Sequence, residues 1–236
     1  MVEHTTAGRK ARRHNAPEAD SAIDGAKTSS VRTAREDWLH TAMDTLISDG
    51  VEKVKVLTIA QKLNSSRSSF YWFFKSRKDL LDQLLEAWKS KNTQSLVERA
   101  ERPAKSITEA VLNIFECWAD EELFDTRLDF AVREWARRSG SVRRALDKAD
   151  DQRLNAISQM FVRHGYDPHE AVIRARTLYF MQIGYFALDL QEPHETRLLY
   201  TQQYLLCLTG KTGSKEEIER FAGFMASLRQ PSARTS

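Results

Sequence analysis

The sequence is poor in everything that interrupts a helix or staples a chain. Two cysteines in 236 residues, Cys117 and Cys207, are too few and too far apart for a disulfide framework or a four-ligand zinc site. That usage fits a reducing compartment, and the cytoplasm is the expected location. Nine glycines and five prolines leave too little punctuation for an all-β chain with many turns or for a low-complexity chain. No apolar run reaches the roughly 18 residues a membrane-spanning helix needs. The most apolar stretch, 177–190, is interrupted by Gln182 and Asp189, and the opening residues never develop the apolar segment of a secretory leader.

Catalytic constellations are missing as well. None of the six histidines (His4, His14, His40, His164, His169, His194) has the His-Glu-x-x-His or Glu-x-x-His spacing that sets metal ligands on one helix face. There is no Gly-rich phosphate loop and no Gly-x-Ser-x-Gly elbow. His164, Asp167 and His169 straddle a helix junction, where capping and surface roles account for them. Cys117 lies between Phe115 and Trp118, close to Glu116 and Asp120, surroundings that raise a thiol pKa and do not suit a redox sensor. No enzymatic activity, cofactor or metal is expected.

What is present reads as helix throughout. Thr33 and Glu36 form a capping box ahead of the stripe Leu39, Ala42, Met43, Leu46 and Ile47, and Gly50 stops that helix. A short helix fits 56–63, a turn at Asn64 and Ser65 follows, and Ser66 caps a second short helix through Phe73. Ser76 with Asp79, Ser106 with Glu109, Asp167 with Pro168 and Glu170, and Ser214 with Glu217 each mark a further start. The periodic segments between them predict about ten helices and no strand, an all-α chain. The expected organisation is a disordered basic arm over 1–31, a small helical domain over 32–92, a larger helical domain over 93–230 and a short tail over 231–236.

A net charge of +3 conceals an uneven distribution. From Lys53 to Lys78 the chain carries Lys53, Lys55, Lys62, Arg67, Lys75, Arg77 and Lys78 and no acid, so this window is +7 and the remainder −4. The cations fall on two short helices joined by a tight turn with a longer helix before them, the layout of a helix-turn-helix DNA reader. The second short helix is expected to bury Phe70, Phe73 and Phe74. It would present Arg67, Ser68, Ser69, Tyr71, Trp72 and Lys75 to a major groove, with hydroxyls for phosphate oxygens and Arg67 for a base edge or a phosphate.

Positions 57–81, Leu-Thr-Ile-Ala-Gln-Lys-Leu-Asn-Ser-Ser-Arg-Ser-Ser-Phe-Tyr-Trp-Phe-Phe-Lys-Ser-Arg-Lys-Asp-Leu-Leu, resemble the DNA-binding segment of TetR-family transcriptional regulators. Ile59-Ala60, Ser66, Tyr71, Phe74, Ser76 and Leu80 fall where that family has its recurring residues; Lys55, Asn64, Phe73 and Arg77 depart from its usual Thr, Gly, His and Lys. The resemblance implies a recognition helix within 66–73 and phosphate contacts from Tyr71 and Arg77. Together with the residue reading, the DNA-binding set is Lys55, Ser66, Arg67, Ser68, Ser69, Tyr71, Trp72, Lys75, Arg77 and Lys78.

The family resemblance implies a homodimer on a double-stranded, pseudo-palindromic operator, most commonly a repressor released by a small-molecule effector. The near-continuously apolar helix over 168–190 and the helix over 195–208 are the expected dimer surfaces. Phe115, Trp118, Trp135, Met160, Tyr179 and Gln182 are the candidate effector-pocket residues. A transcriptional activator of the same fold and a helical interaction module with an acidic partner are the alternatives.

Overall fold

The computed structural model describes Met1, residues 19–190 and residues 192–228, with side chains from residue 34 onward except His194. Helix α1 (Ala19–Asp49) leads through a 3-10 turn (Val51–Lys53) to α2 (Val56–Lys62) and α3 (Arg67–Phe73). Helix α4 (Arg77–Trp88) runs through a π-helical stretch (Lys89–Gln94) into α5 (Ser95–Glu101), so the two are halves of one long rod. Then come α6 (Ile107–Ala119), α7 (Thr126–Ala136), α8 (Gly140–Arg163), α9 (Pro168–Ala187), α10 (His194–Thr209) and α11 (Lys215–Ser227). Among the described residues there is no strand.

Most helix starts follow from their caps. The side chains of Ser66, Ser76, Ser106, Asp125, Asp167 and Ser214 accept from backbone N–H groups one turn in, satisfying donors that the helix itself cannot pair. Ser214 and Glu217 complete a reciprocal capping box. Gly50 (φ 79°) and Gly210 (φ 73°) take the left-handed backbone at the ends of α1 and α10, a conformation that costs glycine no Cβ clash.

Helix α1 begins at Ala19, ahead of the expected start at Thr33. The packed segment from Trp38 supplies the costly nucleus, after which each added residue gains one hydrogen bond, and Ala19, Ala22 and Ala26 propagate helix without an apolar stripe. The rest of the expected arm beyond Met1, residues 2–18, and the expected tail over 231–236 lie outside the described residues.

Two hydrophobic cores divide the molecule. One joins Trp38, Leu46, Ile59, Phe70, Phe74, Leu84 and Trp88 of α1–α4 to Leu128 and Val132 of α7 and Val142, Leu146 and Ala149 of α8. The other collects α5, α6, the C-terminal half of α8 and α9–α11 around Val111, Ile114, Ile157, Phe161 and Leu178. The N-terminal helices are thus seated on α7 and on the first half of α8.

Candidate functional site

The two short helices and their turn are built from backbone bonds and serine hydroxyls. Asn64 takes a left-handed backbone (φ 49°) just past α2, which lets the Ser65 N–H reach back to the Ala60 carbonyl at 2.8 Å. Ser66 Oγ then accepts from the Ser69 N–H at 3.2 Å. Ser69 Oγ in turn donates to the Ser66 carbonyl at 2.6 Å and contacts Ser65 Oγ at 2.7 Å. Helix α3 rests on Phe70, fully buried, whose ring lies 5.4 Å from Trp38 of α1 and 5.2 Å from Phe74. Phe73 is only half-buried.

The opposite face of α3 is turned outward. Ser66, Arg67, Ser68, Tyr71, Trp72 and Lys75 are exposed and Ser69 half-buried. Trp72 is 85% exposed and Tyr71 57%. The Trp72 ring is held in water, and the Tyr71 ring, which meets buried Phe70 edge-on at 5.1 Å, is still more than half exposed, so neither is accounted for by the core alone. Lys55, the N-cap of α2, Arg67 and Lys75 are exposed beside them, and no side-chain hydrogen bond or ion pair engages them among the described residues.

The remaining cations of the basic window divide differently. Lys78 pairs with Asp82 at 2.6 Å on the exposed side of α4. Lys62 holds α2 to α1 through Thr45 Oγ1 at 2.9 Å and Asp49 at 3.2 Å, an interaction that lowers the Asp49 pKa. Arg77, expected as a phosphate contact, is half-buried, and its Nε and Nη2 donate to the carbonyls of Val54 (2.6 Å) and Val51 (2.8 Å). It ties the loop before α2 to the start of α4. Beside it Asp79 accepts from Gln83 and from the Lys75 N–H, which hold its carboxyl below the usual range, and Gln83 also accepts from Arg35 of α1.

A cavity lies at the other end, between α6, α9, α10 and α11. Phe115, Trp118, Met181, Phe221 and Met225 form its apolar side, and Gln182, Tyr185, Glu192, Arg197, Thr201 and Tyr204 its polar side. Of the expected pocket residues it brings together Phe115, Trp118 and Gln182. Met160 is fully buried in the core. Trp135 turns instead to a second cleft, lined by Leu46, Ile47 and Val51, by Phe130 of α7, by Arg138 just past it and by Phe186.

Tyr179 belongs to a buried ionic cluster. Its hydroxyl donates to Asp150 at 2.8 Å and accepts from Arg133 and Arg153 at 3.0 and 2.9 Å, and burial raises its pKa. Asp129, fully buried, accepts from the Trp88 indole N–H (2.8 Å), Arg133 (2.8 Å) and Arg153 (3.0 Å). Burial opposes its ionisation, but the two guanidiniums and these hydrogen bonds outweigh that and lower its pKa. The sequence reading missed Asp129, Arg153 and Arg197. Arg153 was legible in principle, because it occupies a core position in the α8 series Leu146, Ala149, Arg153, Ile157, Met160. Cys117 is buried, which pushes its thiol up to about 12.

Helices α9 and α10 bury one side and bare the other. Ala171, Ala175, Leu178 and Tyr179 face the core, while Val172, Ile173 and Phe180 of α9 and Leu199, Tyr200 and Leu206 of α10 are exposed. Among the described residues no helix is long and apolar enough to cross a membrane.

Two short helices docked on a third, an outward face of aromatic, hydroxyl and cationic groups and an all-helical body behind them define a helix-turn-helix DNA-binding protein. Residues 39–84 match the family model of the bacterial regulatory proteins of the tetR family. The fold is similar to that of AmtR from Mycobacterium smegmatis (16% identity, 82% of this chain and 93% of that one, TM-score 0.52). It is also similar to a Rhodococcus sp. structure assigned to the TetR-family transcriptional regulators (13% identity, 82% and 97% coverage, TM-score 0.50). No curated protein matches the sequence. Residues 39–84 thus carry a DNA-binding segment of the tetR type, and the chain as a whole is similar in fold to these two structures.

Proposed function

We propose that the protein is a homodimeric repressor that reads a pseudo-palindromic operator through α3 and leaves it when a small molecule binds the α6–α9–α10–α11 cavity. The observation that carries the DNA-reading part is the outer face of α3. Trp72 and Tyr71 stand in water between the unengaged cations Lys55, Arg67 and Lys75. Arg67 and Trp72 are the base-reading candidates. Tyr71, Ser66, Ser68, Lys55, Lys75 and Lys78 are the phosphate side, with Ser69 holding the turn.

Dimerisation is supported by the bared apolar residues of the neighbouring helices α9 and α10, where several of the exposed large hydrophobic residues are gathered. Two recognition helices on one dimer can reach successive major grooves roughly 34 Å apart. For release, the ligand must bind the conformer that does not fit the operator more tightly than the one that does, because equal affinity shifts nothing.

The test is genome-wide DNA capture with the purified protein, run in parallel with Tyr71→Ala and Trp72→Ala. One or a few palindromic sites, lost with Tyr71→Ala and altered in preference with Trp72→Ala, are expected. Log affinity for such a site should also fall linearly with log salt. Capture of no site above background by the unaltered protein overturns the reading.

A further inference from the structure

The cavity carries information about what fills it. Its apolar side is two aromatic rings of α6, one of α11 and two flexible thioethers, Met181 and Met225. On its polar side Glu192 is already engaged, and one N–H of Arg197 is not. Glu192 accepts the Tyr185 hydroxyl at 2.6 Å. Arg197 lies over the Tyr185 ring, 5.0 Å from its centroid, which fixes the guanidinium at the cavity edge. Its Nε is buried with no hydrogen-bond partner, while the rest of the guanidinium also acts on the Tyr185 hydroxyl.

A buried N–H donor left without an acceptor is costly, and more so on a cation. The unmet demand is therefore for an oxygen acceptor, and the fixed positive charge favours an anionic one. The free volume of this half-open cavity is about 90 Å³, less than the roughly 150 Å³ cavity known to hold benzene. A compact ligand fits once Met181 and Met225 rotate, as unbranched side chains do readily.

We infer that the cavity binds a small carboxylic acid with a compact apolar body, of arylacetate size, its carboxylate on Arg197 and its body against Phe115, Trp118 and Phe221. This deepens the effector-controlled reading and rests on it. The bound acid would bridge the first turn of α10 to α6 and α9. It would act on the two helices whose outer faces are the dimer surface, the route by which a small ligand alters the spacing of two recognition helices.

The experiment uses the full chain and three shape-matched probes: phenylacetate, phenylacetamide and phenethylamine. Titration calorimetry and thermal shift are read at millimolar concentration for the unaltered protein and for Arg197→Gln and Arg197→Lys. Phenylacetate should bind at least about tenfold more tightly than the amide, with no measurable binding of the amine. Arg197→Gln should abolish the preference for acid over amide, and Arg197→Lys should retain part of it. Equal binding of amide and acid, preference for the amine, a preference that survives Arg197→Gln, or no binding of phenylacetate each overturns the inference. Operator binding is read on the same samples without probe. Loss of DNA binding in the unaltered protein would overturn the regulator reading, whereas intact DNA binding without acid binding overturns only the ligand assignment.

Discussion

Arg77 and Trp72 lie a few residues apart in the same basic window and do opposite things. Trp72 gives its ring to solvent, so replacing it leaves stability near its original value, as surface substitutions generally do. Arg77 spends two of its donors on the Val51 and Val54 carbonyls. Arg77→Ala should therefore cost about 1–3 kcal/mol by denaturant titration, through two carbonyls left unpaired in a half-buried corner. Arg77→Lys, with a single point donor in place of a fork, should recover only part of that. If Arg77→Ala leaves the denaturation midpoint unchanged and weakens all duplexes alike, the residue is a phosphate contact and not a strut. The sequence alone could not separate these roles, because an arginine after an N-cap serine looks the same whether its guanidinium faces water or a carbonyl 26 positions earlier.

At the scale of elements, the legible parts were those set by neighbours in sequence. The serine and aspartate caps, the left-handed Asn64 and the Pro168 start are decided within a turn of chain, and the helices they delimit stand where the spacing put them. The π-helical stretch over Lys89–Gln94 was not legible. It turns Asn92 and Thr93 inward, where Asn92 bonds the Asp125 backbone and Thr93 receives Arg153, and those partners lie 33 and 60 residues away. Helix α9 was legible as apolar on two sides but not in which side serves which purpose. The structure assigns Ala171, Ala175 and Leu178 to the core and Val172, Ile173 and Phe180 to solvent. If the bared side is a subunit surface, Ile173→Glu and Leu199→Glu should each give a folded monomer by sedimentation with unchanged helical content. Operator affinity should then fall because the second half-site no longer helps. A variant that remains dimeric would place the interface elsewhere.

At the scale of the molecule, the two hydrophobic cores meet across a charged seam. Asp129 and Arg133 come from α7, Asp150 and Arg153 from α8, Tyr179 from α9 and Trp88 from the end of α4, so four elements share one cluster of bonds. Such a cluster is a poor source of net stability, because each charge gave up water to enter it, but removing one member strands the others. Asp129→Asn leaves Arg133 and Arg153 to share Asp150 as their one remaining anion in a largely buried site and should cost about 3–5 kcal/mol. Replacing Asp129 and Arg153 together by Leu and Met should cost less than the two single changes summed. The same carboxylate sets an acid limit. Its folded pKa is lowered from the ordinary 3.8, so the unfolded chain takes up its proton first as pH falls. The stabilisation it contributes is thus complete at neutral pH and is lost as pH falls from about 4 through the depressed folded value. Denaturation midpoints measured from pH 7 downward should decline more shallowly in the double variant than in the unaltered protein. Parallel curves would mean that Asp129 ionises in the folded seam no more easily than in the unfolded chain.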